Sequence, residues 1–324
     1  MAPQGRPLRV AILGARGIGK VHARIFHDLG ASICAVLGST DESANLAVQD
    51  LARSFGIEAE PFSSLRQLLQ MPLDVVSICT PARMHFDQTL AAFDAGLAVF
   101  CEKPLFWEDG LSLEKTIKQL DVLAKHRHRK LFMNTSNTVF MDAIKNKLGD
   151  PEQITSFFFK FFTQGRHRGN NIAVDLFPHG ISLLLRLLGC RDLTAYASEV
   201  SDDSYQASFM YGPTCRSRFD FHEDPQGEKA LAFSVNGHAF HRVQEGFGAN
   251  YQAYIADVQT GERFRVEDPF RVAIADFCDY CRTPHQRKVD GFADVSANMQ
   301  MMAQCLSGST NSQHDHHGSQ PKHV

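Results

Sequence analysis

The fold of this chain is decided near its start, where residues 8–19 read LRVAILGARGIG. The first half of this stretch is an apolar run typical of a buried strand, and the second half contains Gly14, Gly17 and Gly19. Residues 20–29 then carry apolar side chains at helical spacing. Glycines permit a tight turn with close backbone approach, and a helix N-terminus offers unpaired N–H groups and a positive dipole end. The stretch therefore predicts a strand–turn–helix unit that can hold the pyrophosphate of a dinucleotide.

The glycine pattern departs from G-x-G-x-x-G, because Arg16 stands in the place of the second glycine and Gly17 comes one position later. A turn of this kind can also be a close packing corner without any ligand. Its position after a short polar leader and an apolar strand favours the binding role. We predict that the turn contacts the cofactor through Gly14, Arg16, Gly17, Ile18 and Gly19.

The composition is that of an ordinary globular chain, with 324 residues, 44% hydrophobic and 21% charged, and this length favours two domains. A net charge of -3 and the lack of a recognisable motif argue against a nucleic-acid partner. No apolar run approaches the length of a membrane span, and residues 1–7 lack the apolar core of a signal peptide. We therefore expect a cytoplasmic protein without a membrane partner.

The eight cysteines are scattered along the chain, and we interpret them as buried thiols rather than a disulfide framework. Cys278 and Cys281 form a lone C-x-x-C in a helical-looking stretch. A structural zinc site usually needs a second pair of ligands, so we predict no metal site.

Residues 8–134 alternate between strand and helix patterns, with strands that are continuously apolar. The predicted strands are residues 8–13, 32–37, 59–62, 75–79, 98–101 and 131–134, and the longest predicted helix is 107–126. Continuous apolar strands joined by helices are typical of a parallel sheet that is covered on both faces. We predict that residues 1–134 form a dinucleotide-binding Rossmann domain of the doubly wound α/β class.

Beyond residue 134 the pattern changes to successive strands separated by turn residues. Predicted strands cover residues 154–162, 193–199, 204–211, 215–222, 230–236 and 251–258, with helices at 181–188 and 269–280. This succession predicts an α+β domain, residues 135–306, with a mostly antiparallel open sheet for substrate binding and oligomerisation. The aromatic stretch 154–162 should be buried against helices or a second subunit. The polar, histidine-rich residues 307–324 are predicted to be a disordered tail.

Two further motifs accompany the glycine turn: Thr80-Pro81 with His85, and Glu102-Lys103-Pro104. With these motifs the chain resembles the glucose–fructose oxidoreductase / inositol dehydrogenase / MocA family. The resemblance is clearest over residues 8–110 and resumes at 175–189. It implies an NAD(P)-dependent dehydrogenase in which Thr80, Pro81 and His85 belong to the cofactor site. It also implies that Glu102 contacts the nicotinamide side of the cofactor and that Lys103 bridges cofactor and substrate.

Lys103 can also be interpreted from its position. It follows the fifth predicted strand, where open α/β sheets place their ligand crevice, and its ammonium could hold a substrate hydroxyl and stabilise a developing alkoxide. A solvated lysine at the start of a surface loop is the alternative, which the glycine turn and the Glu-Lys-Pro triplet disfavour.

Asp175 and His179 are spaced so that a helix would place both side chains on one face. Pro178 is tolerated if it lies in the first turn of that helix. The histidine could merely anchor the helix. The resemblance implies instead that both residues stand over the nicotinamide ring, with His179 as proton acceptor and Asp175 holding the substrate or tuning the histidine. We predict Lys103, Asp175 and His179 as the catalytic and substrate-binding residues.

The chain departs from the family at the end of its second strand, where an acid commonly holds the adenosine ribose. Here Ser39 and Thr40 follow the strand and Asp41 comes late. With Arg16 nearby, these hydroxyl residues could receive a 2′-phosphate, so we predict a weak preference for NADP over NAD. The arginine-rich stretch often found after the last strand of the first domain is replaced by residues 134–137, which read NTSN.

Arg166 and Arg168 lie in a glycine-flanked loop shortly before Asp175. They are either a solvated charge cluster or substrate-binding residues that recognise a carboxylate or phosphate. An acidic or phosphorylated substrate is therefore one open interpretation.

Two functions remain for this chain. The leading hypothesis is an oxidoreductase that transfers a hydride between nicotinamide and a secondary alcohol or ketone of a sugar, cyclitol or related polyol. The alternative is a non-catalytic NAD(P)-binding sensor on the same fold. Retention of Lys103, Asp175 and His179 together favours the enzyme. The resemblance and the aromatic strand imply a homo-oligomer, either a dimer or a tetramer.

Overall fold

The first domain is built on a parallel sheet of six strands. The computed structural model describes residues 5–246, 251–282 and 291–308. The strands are β1 (Arg9–Leu13), β2 (Ser32–Leu37), β3 (Glu60–Phe62), β4 (Val75–Ile78), β5 (Ala98–Glu102) and β6 (Leu131–Asn134), in the order β3-β2-β1-β4-β5-β6. All neighbouring pairs are parallel. The order reverses between β1 and β4, and an open α/β sheet binds its ligand at this switch point.

Helices cover both faces of this sheet. They are α1 (Ile18–Asp28), α2 (Asp41–Phe55), α3 (Leu65–Leu68), α4 (His85–Asp94) and α5 (Leu113–Ala124). Phe26 of α1 and Leu51 of α2 pack into the apolar cluster on one face, and Phe93 of α4 and Leu120 of α5 into the cluster on the other. The predicted Rossmann arrangement is confirmed.

The second sheet has eight strands and is mostly antiparallel. Its strands are β7 (Ser156–Thr163), β8 (Leu193–Val200), β9 (Ser204–Tyr211), β10 (Cys215–Glu223), β11 (Ala230–Val235), β12 (His238–Glu245), β13 (Gln252–Asp257) and β14 (Arg263–Val266). The order is β14-β13-β12-β11-β7-β10-β9-β8, and only the pairing of β7 with β10 is parallel among the described residues. The predicted fold class is therefore confirmed for both sheets.

The aromatic strand β7 lies in the middle of this sheet. Its inward residues Phe157 and Phe159 are fully buried and pack beneath the long helix α7 (Asn170–Leu188). Close packing is enforced at Gly180 of α7, where a Cβ would come within 2.6 Å of the Phe219 ring. The aromatic stretch is thus buried against a helix, which was one of the two expectations for it.

Three further helices lie in the described part of the chain: α6 (Thr138–Ile144), α8 (Pro269–Arg282) and α9 (Phe292–Gly308). After the second sheet the chain returns to the first one, because Phe277 of α8 packs with Phe26 of α1 in one cluster and Met299 of α9 packs on the opposite face. The domain boundaries at residues 134 and 306 stay predictions. Of the tail 307–324, residues 309–324 lie outside the described part of the chain.

The predicted bounds of two helices were wrong. The helix expected from residue 107 begins at Leu113, because Gly110 has φ +74° and the Ser112 side chain caps the helix by accepting from the Lys115 N–H. The helix expected to start near Pro178 begins at Asn170, so the proline lies in its interior. An interior proline costs about 3 kcal/mol. Full burial of a large apolar side chain contributes about 1.5–3 kcal/mol, and α7 buries several of them, which outweighs that cost.

Among the described residues, α7 is the one helix long and apolar enough to cross a membrane, and 67% of its most apolar window is buried inside the protein.

Candidate active site

A cleft opens at the carboxyl edge of the first sheet, at the switch point between β1 and β4. It is lined by Gly14, Ala15, Arg16, Leu37, Gly38, Ser39, Ser43, Ala47, Cys79, Thr80, Pro81, Met84 and Gln88. Five of the predicted cofactor residues therefore line one cleft: Gly14, Arg16, Ser39, Thr80 and Pro81. The remaining ones lie beside it or behind it.

The glycine turn has no space for side chains at two of its positions. A Cβ on Gly19 would come within 1.9 Å of the Gly14 carbonyl oxygen, and Gly14 itself has φ +83°. Gly17 caps α1 without a side-chain hydrogen bond, so the first N–H groups of α1, beginning at Ile18, have no capping side chain. Unpaired N–H groups at a helix start suit a phosphate group.

The end of β2 presents hydroxyl groups rather than an acid. Ser39 and Ser43 line the cleft, whereas the Thr40 hydroxyl accepts from the Ser43 N–H at 3.1 Å and caps α2. Asp41 accepts a hydrogen bond from the Ser63 hydroxyl. The site predicted for a 2′-phosphate thus contains Ser39 and Arg16 at the cleft, while the Thr40 hydroxyl is used within the protein.

The His85 side chain is buried behind the cleft and contacts the loops after β4 and β5. Its Nε2 lies 2.6 Å from the Thr80 carbonyl oxygen and its Nδ1 lies 2.9 Å from that of Pro104. Burial lowers the pKa of His85, and a neutral ring carries one N–H, so it donates to one of these two carbonyl oxygens at a time. The side chain therefore holds the loops after β4 and β5 together, and the ring itself does not line the cleft.

Lys103, directly after β5, reaches from the first domain to helix α7. Its ammonium donates to the Asp175 carboxylate and, at 3.0 Å, to the Asp175 backbone oxygen. Burial by itself would raise the pKa of Asp175, but the charge and hydrogen bond of Lys103, together with the charges of His167 and His179, outweigh burial and lower that pKa to about 2. Two of the predicted catalytic residues, which are far apart in the sequence, thus form one ion pair.

His179 lies one helical turn after Asp175 and is 9% exposed. Its ring meets the Phe161 ring edge to face at 5.4 Å, and its Nδ1 is buried without a hydrogen-bond partner among the described residues. Burial and the Lys103 charge lower the pKa of His179 to about 3, so the imidazole is neutral near neutral pH. An unpaired nitrogen on a neutral ring is able to accept a proton.

Glu102, the residue before Lys103, is held inside the protein by His22 of α1 and Asn134 of β6. The His22 Nε2 lies 2.9 Å from its carboxylate, and the Asn134 amide donates at 2.6 Å. Burial raises the pKa of Glu102, but His22 and Asn134 outweigh it, and the pKa is lowered. Sequence analysis missed His22, whose signal is a polar residue on the apolar face of α1.

The loop that carries Arg166 and Arg168, just before α7, packs against the buried Glu223 side chain. Glu223, at the end of β10, accepts from the backbone N–H of His167 at 2.7 Å and from its ring at 3.1 Å. Arg168 donates to two backbone oxygens, those of His167 and Glu223, whereas Arg166 is exposed. His167 and Glu223 were also missed, although the glycines on both sides of the loop mark a tight turn.

His167, Asp175 and Glu223 are close enough to be considered as metal ligands, since one donor atom of each lies within 4.8 Å of the others. Lys103 already places a positive charge on Asp175, and this charge would repel a cation. The donor set therefore fits an ammonium better than a metal ion.

Comparison with known proteins matches residues 8–135 to the oxidoreductase family with an NAD-binding Rossmann fold, the GFO_IDH_MocA model. D-glucoside 3-dehydrogenase of Escherichia coli is 37% identical over 136 residues, which cover 40% of this chain and 37% of that protein. Inositol 2-dehydrogenase of Cereibacter sphaeroides is 27% identical over 186 residues, covering 56% of this chain and 54% of that protein. The chain thus matches about half or less of the length of these relatives.

The whole fold has relatives among solved structures. UDP-N-acetylglucosamine 3-dehydrogenase GnnA from Acidithiobacillus ferrooxidans superposes with a TM-score of 0.72 at 17% identity, covering 93% of this chain and 97% of that one. At this identity the likeness supports the fold. Together with the match at residues 8–135, it confirms the resemblance to the glucose–fructose oxidoreductase / inositol dehydrogenase / MocA family.

Proposed function

We propose, from the match of residues 8–135 to an oxidoreductase family with an NAD-binding Rossmann fold, that the chain is a nicotinamide-dependent dehydrogenase. Its substrate would be a secondary alcohol or ketone of a sugar, cyclitol or related polyol. The observation that carries the proposal is the contact between Lys103 at the end of β5 and Asp175 on α7, since β5 is the neighbour of β4, whose end lines the cleft of the first sheet. It supports a site shared by the two domains.

The bound nicotinamide would supply the hydride chemistry, and the protein would supply orientation and proton transfer. An ammonium has three N–H donors. Among the described residues Lys103 directs its donors to the two oxygen atoms of Asp175, which leaves one N–H for a substrate oxygen. A positive charge at that oxygen stabilises the alkoxide character that develops as the hydride leaves.

His179 is the proposed proton acceptor. Its pKa of about 3 keeps the ring neutral at physiological pH, and its Nδ1 has no hydrogen-bond partner in the part of the chain that the structure describes. A base with so low a pKa is weak, but the Asp175 carboxylate, one turn earlier on α7, favours the imidazolium that forms. Lys103 opposes that imidazolium, so the charge on Lys103 and the proton on His179 are coupled.

The proposed cofactor is NAD(P), with a weak preference for NADP. Ser39, Ser43 and Arg16 at the cleft support this preference, since a hydroxyl and a guanidinium suit a 2′-phosphate. Asp41, which could hold ribose hydroxyls, accepts a hydrogen bond from Ser63 instead. The cofactor residues predicted around the glycine turn and after β4 belong to this proposal.

The substrate class rests on the relatives and on the loop before α7. The related proteins are named for a glucoside and for inositol. In the loop, Arg168 is engaged with backbone oxygens and lies 3.4 Å from Asp202, whereas Arg166 is exposed and could meet a substrate carboxylate or phosphate. A homo-oligomer and a cytoplasmic location remain part of the proposal.

The test is a screen of sugars, uronic acids, cyclitols and keto-sugars for oxidation or reduction of NADPH and NADH. We expect turnover with at least one polyhydroxy substrate, and loss of that turnover in Lys103→Ala. Lys118→Ala, which removes an exposed lysine on α5, is the matched control. Tight dinucleotide binding without turnover on any of these substrates would favour the sensor instead.

A further inference from the structure

A cysteine at the floor of the dinucleotide cleft has a histidine as its direct neighbour. Cys79 follows β4 and lines the cleft, and its Sγ lies 3.1 Å from the Nδ1 of His22. The same ring nitrogen lies 3.0 Å from the hydroxyl of Ser77, which is fully buried. The proposed hydride transfer assigns no role to this sulfur.

The other nitrogen of the His22 ring fixes its orientation. Nε2 lies 2.9 Å from the Glu102 carboxylate, within ion-pair distance but without hydrogen-bond geometry, and this negative charge favours a proton on Nε2. Nδ1 is thereby left to exchange a proton with the sulfur. A nucleophile beside an imidazole that an acid orients in turn is the arrangement that activates cysteine and serine side chains in enzymes.

The charges around the ring favour the proton on His22. The side chain is fully buried, and burial alone would lower its pKa, but the Cys79 sulfur and the Glu102 carboxylate raise it to about 10. A protonated imidazole next to a sulfur stabilises the thiolate, which is the reactive form of cysteine.

Cys79 is also in close contact with the glycine turn. A Cβ on Gly14 would lie 3.0 Å from the Cys79 carbonyl oxygen, and one on Gly19 would lie 3.2 Å from the Cys79 Cβ. The turn and the end of β4 therefore have no spare volume between them. An oxygen atom added to the sulfur would have to extend into the cleft or displace the turn.

The geometry points to Cys79 as a thiol that hydroperoxides oxidise to a sulfenic acid, and to this oxidation as a switch that closes the dinucleotide cleft. The thiolate sulfur attacks one peroxide oxygen, so that an S–O bond forms and the O–O bond breaks. The departing alkoxide, or hydroxide when the oxidant is hydrogen peroxide, takes the proton held by His22 and leaves as an alcohol or as water. The sulfur loses two electrons and the peroxide gains them.

Two experiments test this inference on the full chain. In the first, the cofactor-free protein is treated with hydrogen peroxide, sulfenic acids are trapped with a dimedone reagent, and the labelled cysteines are located by peptide mass spectrometry. We expect Cys79 to be labelled about tenfold faster than Cys190, although Cys190 is exposed and Cys79 only partly so. Labelling of Cys190 ahead of Cys79 would overturn the inference.

Variants of the neighbouring residues test whether Cys79 is labelled because His22 and Glu102 activate its thiol or only because it is accessible. His22→Gln and Glu102→Gln should each slow labelling of Cys79 about tenfold, because the first removes the proton carrier and the second its orienting charge. His27→Gln, at an exposed position on the same helix, is the matched control and should label as the unmodified chain does. Thermal melting of each variant establishes that it is folded. Unchanged labelling in both folded variants would contradict the role of His22.

The second experiment compares NADPH and NADH binding before and after peroxide treatment. This part rests on the proposed function, whereas the labelling does not, so their failures are distinguishable. We expect oxidation to weaken binding at least tenfold in the unmodified chain and to leave the affinity of Cys79→Ser at its own starting value. Equal affinity before and after full oxidation of Cys79 would overturn the switch, as would the absence of dinucleotide binding.

Discussion

The Lys103 ammonium donates to both the carboxylate and the backbone carbonyl of Asp175, and so joins the end of β5 to helix α7. The side chain of Lys103 is 14% exposed and that of Asp175 is 28% exposed. Because the pair is partly desolvated, each charge would be costly to leave without the other. The contact fixes the distance between the cofactor cleft of the first sheet and the helix that carries His179.

Replacement of Lys103 tests the proposed chemistry. Lys103→Ala should lower kcat by about 100-fold or more, since it removes a donor that stabilises developing negative charge. Dinucleotide affinity, measured by quenching of protein fluorescence, should change by less than a few-fold. A kcat near that of the Lys118→Ala control would show that Lys103 is not part of the active site.

Removal of His179 should change how acid affects stability. The unfolded chain binds a proton at this residue with a pKa near 6.5, and the folded chain only at about 3. Between these values the unfolded state binds more protons, so acidification favours unfolding. Acidification from about pH 7 to about pH 5 should therefore lower the free energy of unfolding by about 2 kcal/mol through this one group.

The measurement is urea unfolding at both pH values for the unmodified chain and for His179→Gln. The variant should lose about 2 kcal/mol less on acidification, since it lacks the titrating ring. Equal losses in the two proteins would show that His179 does not have a lowered pKa.

Cofactor preference can be tested at the two positions expected to meet a 2′-phosphate. Arg16→Ala should weaken NADPH binding about tenfold and NADH binding little, because a hydrogen bond to a charged group contributes about 1.5–3 kcal/mol. Ser39→Asp should reverse the preference, since an acid accepts from ribose hydroxyls and repels the phosphate. Tighter binding of NADH by the unmodified chain would refute the preference itself.

The glycine turn offers a steric prediction. Gly19→Ala would place a Cβ within 1.9 Å of the Gly14 carbonyl oxygen, so it should abolish dinucleotide binding and lower the free energy of unfolding by several kcal/mol. Gly56→Ala is a control, since its φ of +66° strains an alanine by about 1 kcal/mol, but its Cβ would have no described atom within 4 Å apart from its neighbours in the chain. Titration calorimetry and urea unfolding would distinguish the two. Equal effects would show that backbone strain, not the contact, governs the turn.

Much of the first domain could be predicted, because its strands are short continuous apolar runs with glycines or capping residues at their ends. The second domain was harder. Strand β12 (His238–Glu245) carries polar residues on most positions, and β14 is only four residues long, so neither has a clear alternation. Helix α9 (Phe292–Gly308) gains its apolar environment from residues of both domains, which no local pattern reveals.

The sequence by itself determined that a strand, a glycine turn and a helix begin the chain, that Lys103 ends a strand and that Asp175 and His179 share a helix face. These are local properties of periodicity and chain stiffness. Only the tertiary structure decided that Lys103 pairs with Asp175, that the buried Nδ1 of His179 has no partner within the described ranges, and that Glu102 and Cys79 both contact His22. Such contacts join residues that are distant along the chain, and they depend on how helices and sheets pack. No stretch of sequence encodes that packing alone.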